Sequence, residues 1–186
     1  MLLRSGIQGF TIEAVADLSG ASKVTIYKWW PSKGALALDG FFASVSPTID
    51  VTSTGNCEAD LATQAEAIVR LFRDTSVGPV LAGLIGEAQK DPDLANALRT
   101  RWLDPRREVG AAILRTGKSS RTLRDDFDTT IVLDQIYGAI YIRLMLGHAP
   151  MPDGMATTLV RNIMVGIRNS PARQKSGRAN AGKQRR

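Results

Sequence analysis

The residues with most to offer chemically lie in one short stretch of a 186-residue chain. From Thr11 to Trp30 it reads Thr-Ile-Glu-Ala-Val-Ala-Asp-Leu-Ser-Gly-Ala-Ser-Lys-Val-Thr-Ile-Tyr-Lys-Trp-Trp. On a helix capped by Ser22, Ile26 faces a core, and Lys23, Val24, Thr25, Tyr27, Lys28 and Trp29 stay outside. Those side chains suit a nucleic-acid duplex. Lys23 and Lys28 can neutralise phosphates or donate to guanine, Thr25 can reach a base edge or a phosphate, and Val24 can touch a thymine methyl. Tyr27 can donate its hydroxyl to a phosphate while its ring packs on the sugar. Just downstream, Ser32-Lys33 opens another helix and offers backbone N–H groups and a cation to a further phosphate.

No catalytic set competes with this reading. Cys57 is the one cysteine, which excludes an intramolecular disulfide and a cysteine-based zinc site, and His148 is the one histidine, which excludes a His-rich metal cluster. No nucleophile–base pair, carboxylate dyad or Gly-rich phosphate loop is recognisable, so no catalytic residue, metal or cofactor is expected. Cys57 reads as an inert thiol near a helix start, and His148 as a partner for carbonyls at a helix C-terminus.

Charge is informative mainly through its location. The formal net charge is +6. Residues 169–186 hold Arg173, Lys175, Arg178, Lys183, Arg185 and Arg186 with no acid. Residues 1–46 hold four bases against three acids, and residues 47–168 fourteen against fifteen. The body is thus nearly neutral, and global charge argues little for nucleic-acid binding. The tail reads as a disordered solvated extension, with a sequence-independent DNA contact as its second reading. The longest apolar run, Ile136–Ile142, ends at Arg143 and falls far short of the roughly 20 residues that span a bilayer. No signal peptide is recognisable, and a reduced cytoplasmic setting away from membranes fits best.

The elements that must position these residues are helices throughout, so the fold class is all-α. Residues 1–46 read as a helix-turn-helix domain, 47–168 as a helical bundle domain, and 169–186 as the basic tail. Thr11 caps Ile12–Leu18, Gly20 supplies the turn, Ser22 caps a helix through Lys28, and Ser32 caps Lys33–Val45. Ala16 is small enough for a close helix crossing, and Ala21 and Ile26 bury the second helix on the first. Ser46–Asn56 reads as a linker. Beyond it, the spacing predicts helices over Glu58–Thr75, from Pro79 to about Lys90, and over Asp93–Arg115 with a bend at Pro105. Thr116–Ser120 is expected as a loop, followed by helices Asp126–Leu146 and Met155–Ile167. The former is apolar nearly all round, which calls for burial on two sides.

The stretch Thr11…Tyr27-Lys28-Trp29-Trp30-Pro31-Ser32-Lys33-Gly34-Ala35-Leu36 resembles the N-terminal domain of the tetracycline-repressor (TetR) family. Ile136–Pro150 is similar to the penultimate helix of one subgroup of those regulators. The resemblance implies a DNA-binding transcriptional regulator, a repressor released from double-stranded operator DNA by a small-molecule effector. It implies that Thr11 caps its helix and meets a phosphate, that Lys23, Val24, Thr25 and Lys28 face the groove, and that Tyr27, Trp29 and Lys33 hold the backbone. Trp30 would be core. A homodimer would form through the last two helices, with Gly138, Tyr141, Leu159 and Ile163 as interface candidates. Phe72, Trp102, Tyr137, Tyr141 and Met145 are candidates for an effector pocket. Such chains open with a full first helix, whereas Met1-Leu2-Leu3-Arg4-Ser5-Gly6 resembles only its last turn. The first helix is therefore expected to be truncated, from a start that lies upstream or in a weakened DNA-binding domain. The latter keeps a second reading open: a helical dimer without DNA binding that serves as a ligand-binding or protein-interaction module.

Overall fold

The computed structural model describes residues 2–7, 9–45 and 53–169. The expected tail beyond 169, and most of the expected linker, lie outside the described residues. The chain is all-α. An N-terminal unit comprises α1 (Leu2–Ser5), α2 (Ile12–Ser19), α3 (Lys23–Trp29) and α4 (Lys33–Ser44). A second unit comprises α5 (Cys57–Asp74), α6 (Val77–Ala88), α7 (Pro92–Leu98), α8 (Asp104–Ser119), α9 (Thr129–Leu146) and α10 (Met155–Ile167). The one extended pairing among the described residues is an isolated antiparallel bridge between Leu123 and Arg168.

Local capping chemistry sets most helix starts. The side chains of Thr11, Ser22, Ser32, Asn56, Asp91 and Asp128 each accept a hydrogen bond from a backbone N–H of the first turn they precede. Asp128 explains why α9 begins at Thr129, three residues later than the sequence suggests. The expected loop at Thr116–Ser120 is instead the last turn of α8. Thr116 satisfies its hydroxyl on the Ala112 carbonyl at 3.1 Å, and Gly117 lies against the buried Leu123, so the small polar residues continue the helix.

The single bent helix expected over Asp93–Arg115 is divided differently. Arg99–Leu103 forms a π-helical turn between α7 and α8, in which the Asp104 N–H reaches back to the Arg99 carbonyl. Pro105 supplies the cause. It has no N–H for the Arg101 carbonyl and its ring crowds that oxygen, and a widened turn relieves the crowding. The π-turn shifts the register of the side chains it carries, among them Arg99, Arg101 and Trp102.

The core is built around α5, whose Leu61, Ala65, Ile68, Val69 and Phe72 are buried. Beside them runs a satisfied polar seam. The fully buried Gln64 donates to the Arg106 carbonyl at 2.8 Å and accepts from the Tyr137 hydroxyl at 2.7 Å. The two units meet closely. A Cβ at Gly83 of α6 would stand 2.2 Å from the Ile7 side chain, and one at Gly34 of α4 3.0 Å from Leu94 of α7. The N-terminal unit is pressed onto α6 and α7 there, tightly enough at Gly83 that a side chain would force Ile7 to shift.

The last helix lacks a capping side chain of its own, since Gly154 occupies its N-cap with φ +75°. Glu66 of α5 serves instead, accepting from the Gly154 N–H at 2.5 Å and the Ala156 N–H at 3.0 Å. A carboxylate there also meets the positive end of the helix dipole. Glu66→Ala should therefore lower the urea unfolding free energy by about 1–3 kcal/mol, followed by far-ultraviolet circular dichroism. An unchanged midpoint would mean that water caps α10 equally well.

Candidate nucleic-acid interface

The helix pair α2–α3 is assembled from few groups. Thr11 Oγ1 accepts from the Ala14 N–H at 3.1 Å, and Ser22 Oγ accepts from the Thr25 N–H at 3.1 Å. Between them Gly20 sits at φ +70°, the left-handed region that a tight inter-helix turn requires. Ile26, 3% exposed, is the one buried residue of α3. The rest of that helix faces outward: Val24 is 81% exposed, Trp29 71% and Tyr27 51%, with Lys23, Thr25 and Lys28 also exposed. A short helix that leaves a valine, a tyrosine and a tryptophan in solvent, interleaved with lysines, has a contact surface rather than a solvated face.

Three sequence expectations find different surroundings. Lys23 Nζ donates to Glu13 Oε1 of α2 at 2.7 Å, a bond that raises the lysine above its ordinary pKa and lowers the glutamate below its own. The pair is solvent-exposed and yields readily to a stronger anion. Lys33 is half-buried, and its Nζ donates to the Ile7 carbonyl at 3.1 Å, bracing the chain between α1 and α2. Trp30 is half-buried at the end of α3 rather than core, because its indole N–H finds a partner at the surface, Asp39 Oδ2 at 2.8 Å. Beside this pair, an apolar groove of about 390 Å³ lined by Leu2, Leu3, Phe10, Val15, Leu18 and Leu36 stays open above the short α1.

Asp39 is a residue that sequence reasoning passed over. Its other oxygen, Oδ1, accepts from Arg101 Nη1 at 2.6 Å, so one carboxylate on α4 joins the end of α3 to the π-turn. Arg101, then Trp30, hold that carboxyl below the usual aspartate range. The Arg101 guanidinium also lies 4.2 Å from the Phe42 ring centroid. Nothing in the local sequence around Asp39 signals this, since its partners are 9 and 62 residues away.

Along the π-turn runs a cavity of about 480 Å³, open to solvent on one side and bordered by α6, α7, α8 and α9. Trp102, Tyr137 and Tyr141 line it, with Leu81, Ile85, Leu98 and Leu103 as aliphatic wall. Phe72 and Met145 do not line it: Phe72 is core, stacked on Trp102 at 6.4 Å and edge-on to Tyr141 at 5.3 Å, and Met145 is exposed one turn beyond Tyr141 on α9. Burial pushes both tyrosine hydroxyls above their ordinary range, so they stay protonated donors. Tyr141 Oη accepts from Trp102 Nε1 at 2.8 Å, which turns it inward and away from the outer face of α9. Arg106, 2% exposed, lies 3.3 Å from the Trp102 ring centroid, and burial lowers it to about 10. Arg99, Arg107 and Asp134 also line it; sequence reasoning weighed only aromatic and sulfur-bearing side chains, although Ala95, Leu98, Arg99 and Trp102 share ordinary helical spacing. Cys57 is inert as expected: burial lifts its thiol to about 11 and Sγ donates to the Ile113 carbonyl at 3.4 Å.

The outer face of α9 is apolar and uncovered. Ile131, Ile142 and Leu146 are exposed there, Gly138 lies between them, and Val165 is exposed on α10, with Leu159 and Ile163 half-buried beside it. Among the described residues no group of three or more His, Cys, Asp or Glu is placed to hold a metal, and no helix is long and apolar enough to cross a membrane.

Comparison with known proteins adds ancestry to this geometry. Residues 51–163 match the tetracyclin repressor-like C-terminal domain family. The chain is 34% identical to the HTH-type transcriptional regulator YdeS of Bacillus subtilis, over 92% of its own length and 86% of that protein's. It is 30% identical to the DNA-binding transcriptional repressor TetR of Mycobacteroides abscessus, over 89% of its length and 86% of the relative's. Among solved structures, the TetR family transcription regulator SCO0332 superposes with a TM-score of 0.74 at 43% identity, over 90% of this chain and 92% of that one. A TetR regulator from Agrobacterium tumefaciens shares the fold at 21% identity and a TM-score of 0.67, over 93% and 91% of the two chains. With its capped α2–α3 pair and all-helical second unit, the chain belongs to the tetracycline-repressor (TetR) family of helix-turn-helix transcriptional regulators.

Proposed function

We propose that the protein is a homodimeric repressor that reads operator DNA with α3 and leaves it when a small molecule fills the cavity behind the π-turn. The outward face of α3 carries this reading: Val24, Thr25, Tyr27, Lys28 and Trp29 project from a helix anchored by Ile26 alone. In the major groove such a helix presents side chains to base edges, and the two lysines and Tyr27 reach the backbone. Lys23 must exchange Glu13 for a phosphate, and Ser22 and Thr11 keep their helix starts in register at the duplex. The likeness to the M. abscessus repressor supports repression as the outcome.

The second unit makes two heads act together. The apolar outer faces of α9 and α10, with Gly138, Leu159 and Ile163, suit a two-fold interface with a second copy, and two copies match two operator half-sites. An effector acts through Trp102, which lines the cavity and packs on Phe41 of α4, their ring centroids 5.0 Å apart and both side chains buried. Asp39 then latches α4 to the end of α3. Release requires that the effector bind the DNA-incompatible spacing more tightly than the DNA-bound one.

Three measurements test this. Selection of bound fragments from a genomic DNA pool should return a palindromic site. On it, Tyr27→Ala should weaken binding about tenfold for every sequence, and Lys28→Ala should reduce the salt slope by about 1; a chain that selects no DNA overturns the reading. Ile142→Glu should convert the dimer to a monomer in light scattering and abolish half-site cooperativity. Asp39→Asn should keep operator affinity within about threefold yet blunt release by effector, since a solvent-exposed ion pair contributes little stability of its own.

A further inference from the structure

The lining of the cavity narrows what fits it. Its walls are mostly aliphatic, and Trp102 is no stacking platform. It is 2% exposed, with Phe41, Phe72 and the Arg106 guanidinium already packed on it. An apolar body of modest width fits such a space, and about 480 Å³ accommodates a small organic molecule.

The charged lining is asymmetric. Arg107 is engaged by Asp134 at 2.5 Å and by the Thr130 carbonyl at 3.3 Å, so those two charges cancel. Arg99, at the other end of the same helical path, meets only a neutral group, Asn96 Oδ1 at 3.0 Å within its own turn. Gln89, just past the end of α6, lines the cavity as well. Arg99 and Arg107 stand eight residues apart, roughly 12 Å along a helix. The cavity therefore has one charge not neutralised by an acid of its lining, it is positive, and it sits about a ligand's length from an internally balanced pair.

We infer that the cavity takes an elongated apolar carboxylic acid, its body along Leu81, Ile85, Leu98 and Leu103 and its carboxylate on Arg99. A carboxylate trades the weak Asn96 contact for a charge-assisted, bidentate one. A cationic ligand meets the reverse situation, because Asp134 already holds Arg107 and Arg99 repels it. A dianion exceeds what one guanidinium balances. The inference rests on the proposed effector cavity, but binding itself reads it, without DNA.

Titration calorimetry on the full chain at neutral pH compares octanoate with octanol and naphthoate with naphthol, two bodies each with and without the charge. The straight-chain and ring pairs distinguish fatty from aromatic acids. The acid of at least one pair should bind about tenfold more tightly than its alcohol. Arg99→Gln, an exposed position whose replacement leaves the core untouched, should bring acid and alcohol within about twofold of each other. Ala95→Phe, which narrows the cavity, should weaken the same acid more than about tenfold while leaving the far-ultraviolet spectrum intact; if it fails to fold, Ile85→Phe narrows the α6 wall instead. Equal affinity of acid and alcohol in both pairs overturns the inference, as does an acid preference that survives Arg99→Gln. Acid binding of the expected pattern that leaves operator bound supports the ligand class and overturns effector release instead.

Discussion

Trp102 is the contact on which the rest of the structure depends. It belongs to the π-turn, yet it touches Phe41 of α4, Phe72 of α5 and Tyr141 of α9, and it carries the Arg106 guanidinium on its ring. One side chain therefore borders the N-terminal unit, the core and the cavity at once. The magnitudes decide how a signal crosses. A buried indole contributes far more than an exposed ion pair, so in the proposed release the Phe41–Trp102 packing is the contact suited to carry a displacement from cavity to α4. The Arg101–Asp39–Trp30 bridge, half in solvent, ties the π-turn to the end of α3.

The turn carries both contacts on one short segment. Arg99 and Trp102, three residues apart, share the cavity side as they would on any helix, and the neighbouring Arg101 reaches Asp39. A close-packed interior does not deform smoothly. A turn that has already given up its regular hydrogen bonds is where a ligand meets the least resistance to rearrangement.

The division between what the sequence disclosed and what it hid follows the range of the interactions. Thr11, Ser22 and Ser32 were legible as caps because a cap involves neighbours three residues away. The outward set on α3 followed from the same local periodicity, and Met155–Ile167 appears with those bounds. Trp30, Phe72 and Met145 were misjudged because aromatic or sulfur-bearing character says nothing about which wall a residue joins. Thr116–Ser120 looked like a loop because its composition is small and polar, yet α8 runs on to Ser119, with Thr116 bonded to the Ala112 carbonyl and Gly117 packed by Leu123. Asp39 was invisible, since its role depends on a partner 62 residues distant, whereas Arg99 shares the helical spacing of Ala95, Leu98 and Trp102 and was passed over for its charge.

The chain has two exposed apolar faces, and their chemistry separates their partners. On α3 the apolar side chains alternate with Lys23 and Lys28 and with hydroxyl groups, a mixture that suits phosphates and base edges together. On α9, Ile131, Ile142 and Leu146 form a stripe whose natural partner is another apolar helix. The two faces belong to different units, and Trp102 lies on the path between them. A tenfold loss of operator affinity needs only about 1.4 kcal/mol of differential ligand binding. That is less than the packing of a single buried aromatic side chain contributes, so under the proposed dimer a modest repacking around Trp102 would be sufficient to uncouple a spacing set by α9 from the one that α3 requires.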